Sequence, residues 1–288
     1  MRSILPVVTV VLIIVALWYA AAVRLNAPWV YDQAERAGAP APGFGQLLGE
    51  TMDQERPVLP TPHQVVTELV KSTFGMAVSS KRSLVYHGWV TISATLLGFA
   101  MGTGLGILLA VGIIHNRAMD LSVMPWAIAS QTIPILAIAP MIIVVLNSIG
   151  VQGLIPKAII SAFLSFFPVL VGMVKGLRSP DQMQLDLLAT YGASKRETFW
   201  KLRLPSSMPY LFTSLKVGIA ASLVGAIVGE LPTGAVAGLG ARLLSGSYYG
   251  QTVQIWAALF AAALVAAVLV MAVGVIEGRV LRRMGMVR

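Results

Sequence analysis

Asp186-Leu187-Leu188-Ala189-Thr190-Tyr191-Gly192-Ala193-Ser194-Lys195-Arg196-Glu197-Thr198-Phe199-Trp200-Lys201-Leu202-Arg203-Leu204-Pro205 is a polar island in an otherwise apolar chain. Just upstream, Ser179-Pro180-Asp181-Gln182 offers a capping hydroxyl, a proline at the first helical position and a glutamine three residues after the cap, which predicts a helix starting at Ser179. Gly192 is placed to end that helix in left-handed geometry. Ser194-Lys195-Arg196-Glu197 then repeats the capping pattern. Proline disfavours helical geometry in the residue before it, so the second helix is expected to stop by Leu204-Pro205. The reading is two short helices around a glycine elbow.

Met183, Leu187 and Tyr191 fall at i, i+4 and i+8 on the first helix, while Phe199 with Leu202, and Trp200 with Leu204, fall three and four apart on the second. Lys195, Arg196, Lys201 and Arg203 stand between these stripes. The elbow would therefore offer a soluble partner an apolar knob with a basic rim. An amphipathic hairpin lying on anionic lipid would satisfy the same composition.

Outside the island the chain is membrane-like: of 288 residues 57% are hydrophobic and 11% charged, with mean hydropathy +0.80, where a soluble domain carries about 25% charged residues. An all-α polytopic membrane protein is expected. With no cysteine there is no disulfide and no thiolate metal site, and His63, His87 and His115 make no ligand spacing, so no catalytic group, cofactor or metal is expected in this chain. The net charge of +9 is read as basic loops at a membrane face rather than as a nucleic-acid surface.

Six spans are predicted. Residues 4 to 23 form an apolar run long enough to cross about 30 Å of hydrocarbon and are read as a retained anchor rather than a signal peptide, whose apolar region is usually about 7 to 15 residues. Residues 24 to 86 carry six basic and six acidic residues and many prolines. Within them Leu59-Pro60-Thr61-Pro62-His63-Gln64-Val65-Val66 reads as a rigid turn feeding a short amphipathic helix on the membrane surface. Segment two, about 88 to 114, places Gly98, Gly102 and Gly106 on one face, where another helix must pass closely.

Segment three, about 121 to 146, is interrupted by Pro134 and Pro140, and a broken helix in lipid should line protein or a wet cavity. Ser130, Gln131 and Thr132 precede the first break, where transporters place substrate; hydroxyls bonding back to their own helix are the other reading. Segment four covers about 154 to 175. Segment five runs from about Pro209 to Glu230 and contains Lys216, an intramembrane charge that is either functional or snorkels to the nearer interface. Segment six covers about 252 to 276, before a basic tail, 277 to 288. Placing both termini inside puts twelve basic residues in short cytoplasmic segments against eight outside, six of those in the charge-balanced stretch.

At this point the residues carry a resemblance. An acidic residue, six positions to a glycine, ten more to an aliphatic and then x-Leu-Pro, here Asp186, Gly192, Leu202, Leu204 and Pro205, is similar to the EAA loop of the membrane subunits of bacterial ABC importers. Asp186 stands where Glu is usual and Leu187 and Leu188 where alanines are usual; Ala189 is kept. The Leu59-Pro60-Thr61-Pro62 stretch resembles the Leu-Pro-Ser-Pro entry of the nitrate, taurine and sulfonate branch. Gln131-Thr132-Ile133-Pro134 with Ala139-Pro140 resembles that family's third helix, which more often has Arg at the Gln131 position. Leu146-Asn147-Ser148 replaces its usual Trp-Phe-Gly. Glu230 and Gly238-Leu239-Gly240, joined by Leu231-Pro232-Thr233-Gly234-Ala235-Val236-Ala237, recur in it at the outer end of segment five.

The resemblance covers about residues 57 to 280 and implies a type I ABC importer permease in the bacterial inner membrane, with the loop 177 to 206 inside a five-helix core, 87 to 276. It implies a coupling loop in which Asp186, Ala189, Gly192, Ala193, Ser194, Phe199, Leu202, Leu204 and Pro205 sit in a groove of an ATP-hydrolysing subunit. Ser130, Gln131, Thr132, Pro134 and Glu230 are the pathway candidates. The implied partners are a second permease copy or paralogue, two ATPase subunits, a periplasmic or lipid-anchored solute-binding protein and membrane lipid. ATP and magnesium would be bound by the ATPase subunit, since the chain has no GxxxxGK[ST] loop. Gln131 in place of Arg favours a neutral or zwitterionic nitrogen heterocycle, such as a pyrimidine or vitamin precursor, over a small anion such as sulfonate, nitrate or bicarbonate. An ATP-independent secondary transporter would show paired intramembrane charges, and a membrane enzyme a convergent set of polar groups.

Overall fold

An apolar chain in hydrocarbon must satisfy its backbone within itself, and the computed structural model, which describes residues 4–232 and 237–286, is helical with no strand among those residues. Among the described residues five helices are long and apolar enough to cross a membrane: α1 (Ile4–Arg36), α4 (Leu84–His115), α7 (Leu154–Leu177), α10 (Leu204–Glu230) and α12 (Thr252–Arg283). A sixth crossing results if α5 (Arg117–Ser130) and α6 (Ile135–Ser148), bent by 99° at their junction, form one broken span. Arg2 and Arg288, two of the twelve basic residues assigned to the inside, and Thr233 to Val236 lie outside the described residues.

The chain divides into two units, residues 1–87 with 241–262, and residues 88–240 with 263–288. In the first unit α1 does not stop at residue 23 but continues to Arg36. The buried Asn26 amide explains the continuation: it donates to Thr51 O at 3.2 Å and Leu59 O at 3.0 Å and accepts from Val58 N at 2.8 Å. It thereby binds the extension of α1 to α2 (Phe44–Met52) and to the chain before α3 (Pro62–Phe74). The expected turn is present, with Pro62 in the first turn and Gln64 Oε1 accepting from Thr61 N at 3.1 Å. Trp18 packs on Trp256 at 5.0 Å and Phe260 at 5.8 Å between ring centroids.

In the second unit the glycines of α4 meet α7. A Cβ on Gly98 would lie 2.6 Å from Ala158 O, one on Gly102 2.7 Å from Ala162 O, and one on Gly106 2.7 Å from Phe166 O. On its other side α7 packs along α10, where Gly225 would place a Cβ 2.7 Å from Ser161 Cα. Buried hydroxyls join the three helices: Ser161 and Ser222 lie 2.7 Å apart, and Ser222 donates to Thr95 O at 2.8 Å.

Three boundaries differ from expectation. The third segment breaks once rather than twice: Pro134 cannot donate to the ladder ending in the turn at Gln131 and Thr132, and α6 restarts with Ala137 N on Pro134 O at 2.9 Å. Pro140 stays inside α6 on an exposed face without breaking it. α10 begins at Leu204, not Pro209. α12 runs on to Arg283, because Glu277, in the expected tail, is held in the helical bundle by an ion pair with Lys216.

Candidate functional site

Between α7 and α10 the chain builds the elbow. The first helix, α8 (Gln182–Thr190), is capped by Asp181 rather than Ser179, in a box closed by Gln184. Ser179 Oγ instead donates to Gly176 O at 2.7 Å, finishing α7, so its hydroxyl is engaged and the start shifts by two residues. Gly192 ends α8 as expected, with φ +72°. Its N–H bonds Ala189 O and that of Ala193 bonds Leu188 O, both at 2.9 Å, a reversal that L side chains accommodate poorly.

Ser194 caps α9 (Lys195–Thr198): its Oγ accepts from Glu197 N at 3.2 Å while Glu197 Oε2 accepts from Ser194 N at 3.0 Å. The Ser194 backbone N–H, and after it Lys201 at 3.0 Å, hold the Glu197 carboxyl down to about 2. The second helix does not stop at Leu204-Pro205. A π turn, Phe199–Arg203, leads directly into α10, with Leu204 N bonding Phe199 O. Pro205 is tolerated because it falls in the first turn of α10, where the ladder changes its step and a missing N–H costs little.

Met183, Leu187 and Tyr191 form an exposed stripe on α8, Tyr191 at 81% exposure, and Trp200 is exposed beyond the bend. Phe199 and Arg203 turn the other way. Phe199 is 9% exposed and packs within a core containing Ala110, Ile113 and Leu177, with the His115 ring 5.0 Å away. Arg203 donates to Leu177 O at 2.8 Å, closing the end of α7 instead of joining a rim. Lys195 and Arg196 remain exposed. Asp186 is exposed and accepts from Gln182 at 2.8 Å. Ala189 and Ala193 line a cleft of about 390 Å³ under the elbow with Leu185, Lys195 and Thr198. Leu202, Leu204 and Pro205 are half-buried.

The pathway candidates sit apart from the elbow. Ser130 Oγ donates to Ala127 O at 2.7 Å and Thr132 Oγ1 to Ala129 O at 2.8 Å, the back-bonding that lets a helix end inside lipid. Gln131 Nε2 reaches Ser130 Oγ at 3.3 Å, and Pro134 heads α6 on an exposed surface. Glu230 is fully buried; its carboxylate accepts from Thr91 Oγ1 at 2.9 Å and from Gly240 N at 2.8 Å. Thr91 Oγ1 in turn accepts from Leu239 N at 2.8 Å, so the Gly238-Leu239-Gly240 turn is wrapped on this acid.

Two residues escaped the sequence reading. Thr91 gives no signal in a run of small residues. Glu277 does: it is the only acid in α12, and a lysine within a span calls for an acid at the same depth.

Comparison with known proteins agrees with this architecture. A family profile described as binding-protein-dependent transport system inner membrane component matches residues 102–286. The formylaminopyrimidine transport permease ThiX of Halalkalibacterium halodurans is 33% identical over 184 residues, 64% of this chain and 68% of that protein. The riboflavin transport system permease RibX of Chloroflexus aurantiacus is 31% identical over 225 residues, 78% of this chain and 80% of that protein. Among solved structures, a chain of the inward-facing MetNI methionine ABC transporter shares the fold, with a TM-score of 0.51 at 18% identity over 78% of this chain and 97% of that one.

Proposed function

The chain belongs to the binding-protein-dependent transport system inner membrane component family and is an ABC importer permease, and from that premise we propose that the elbow at 181–205 docks a separate ATPase subunit and passes its movement to α7 and α10. The observation that carries this reading is the exposed stripe Met183, Leu187 and Tyr191 on a helix capped at both ends. It is a rigid apolar knob, shaped before any partner arrives. Both termini lie in the cytoplasm, as the basic residues favour, and ATP closure around paired ATPase subunits moves the elbows and switches a cavity between two permeases.

Gly192→Val tests the docking role. A β-branched residue at φ +72° is strongly disfavoured, so the two short helices misalign while the spans still insert. The variant is expected to reach the membrane yet co-purify with less ATPase subunit than the parent and lose coupled uptake. Equal stoichiometry with equal uptake rules the docking role out, and is what a lipid-lying hairpin would give.

The substrate class follows from the break at Ser130-Gln131-Thr132, which offers amide and hydroxyl groups and no cation. A neutral or zwitterionic nitrogen heterocycle suits that chemistry, and the named substrates of the formylaminopyrimidine and riboflavin relatives are of this class. Isolating the cognate binding protein and identifying its co-purifying ligand tests this; a sulfonate or nitrate there overturns it.

A further inference from the structure

α3 carries two apolar faces. Val65 is buried and Leu69 half-buried toward the protein, whereas Val66, Val70 and Phe74, at i, i+4 and i+8, are 57%, 51% and 83% exposed. An apolar stripe of this length on a helix outside the spans needs a cover. Its height along α1 identifies the cover. Asn26 holds Val58 and Leu59 at the level of the polar extension of α1. Two turns lower, Trp18 Nε1 donates to Pro60 O at 2.9 Å, and the Tyr19 hydroxyl lies 3.2 Å from His63 Nδ1. The chain therefore descends along α1 from residue 58 to residue 63 and starts α3 beside Trp18 and Tyr19.

Those two aromatics lie in the last turns of the apolar run, and Trp18 packs on Trp256 and Phe260 in the first turns of another spanning helix. Trp and Tyr clustered at the ends of spans mark the headgroup level. α3 thus begins at that level, and it ends at Gly75, shortly before the spanning α4 begins at Leu84. Its N-terminal end is thus tied to the point where α1 leaves the bilayer.

We propose that α3 is an interfacial helix whose Val66, Val70 and Phe74 insert among the lipid acyl chains, continuing the lipid-facing surface of α1, with Lys71 reaching up to the phosphates. The occupant of this face is lipid, not a protein subunit. Lys71 is exposed and follows Val70 directly, so its alkyl stem can lie along the stripe while its ammonium stays in water.

The chain contains no cysteine, which allows spin labels at Val66→Cys, Val70→Cys and Phe74→Cys in the assembled importer in phosphatidylglycerol and phosphatidylethanolamine liposomes. Leu12→Cys on α1 serves as the lipid reference and Ala39→Cys as the aqueous one. The expected result is an oxygen-to-nickel-chelate collision ratio near that at Leu12→Cys and several-fold above that at Ala39→Cys. A ratio equal to that at Ala39→Cys overturns the proposal, as does shielding from both reagents, which a second copy or a docked binding protein would produce. In the unsubstituted importer, a phosphatidylglycerol carrying a photoreactive diazirine on its acyl chain should form adducts within residues 66–74. Labelling of α1 without any adduct in that stretch also overturns it.

Discussion

At the scale of single residues, Gln131 and the pair Lys216 and Glu277 carry the sharpest expectations. Ser130 and Thr132 bond back to their own helix, which leaves the Gln131 amide as the polar group at the break best able to turn to a solute. Gln131→Ala should lower uptake at limiting substrate while leaving assembly and basal ATPase activity of the complex unchanged; normal uptake at low substrate would remove it from the pathway. Lys216 and Glu277 are partly exposed, at 35% and 18% of their side chains, so Lys216→Met should cost about 1–3 kcal/mol, less than the roughly 3–5 kcal/mol of breaking a fully buried pair. Thermal unfolding in detergent measures this, and the reversed pair Lys216→Glu with Glu277→Lys should recover most of the loss. No recovery would mean that the two charges act separately. Residues whose roles are local were readable from sequence: Gly192 and Ser194 do what their neighbours dictate. Ser179 was misread because its hydroxyl serves the preceding helix, and Phe199 because its ring is claimed by His115, which no nearby spacing reveals.

At the scale of helices, the glycine stripe of α4 is a one-sided device. Gly102 faces α7 so closely that a Cβ would lie 2.7 Å from Ala162 O, while a Cβ on Gly104 would meet nothing beyond its own helix within 4 Å among the described residues. Gly102→Val should therefore force α4 and α7 apart and destabilise by about 1–3 kcal/mol, the usual cost of overpacking, whereas Gly104→Val should change the melting temperature little. Similar melting of the two variants would show that the close approach contributes nothing. The repeat announced that some helix must pass, since only small residues permit it, but not which one: that choice rests on Ser161 and Ser165, which sequence does not tie to the stripe. Helix ends were the less legible part. α1 and α12 outrun their apolar runs because Asn26 and Glu277 hold polar turns in place through partners distant in sequence.

At the scale of the whole chain, the apolar segments were readable because lipid leaves so few alternatives, while the sharpness of the bend between α5 and α6 was not, since Pro134 and Pro140 look equivalent in sequence and only the first redirects the chain. The proposed topology makes a direct forecast: in intact cells an impermeant thiol reagent should label Ala39→Cys and leave Lys195→Cys untouched until the membrane is opened. The reverse pattern would put the elbow on the wrong face for an ATPase. The π turn at Phe199–Arg203 bears on where that elbow points. Each residue added to a helix rotates all that precedes it by about 100° about the axis, and a π turn holds one residue more than the α turn it replaces. The heading of Met183, Leu187 and Tyr191 around α10 is thus set by a residue count. Removing Lys201 would swing the stripe to another compass bearing with every one of its side chains intact, so the proposed docking surface is written partly in chain length, where no substitution scan would find it.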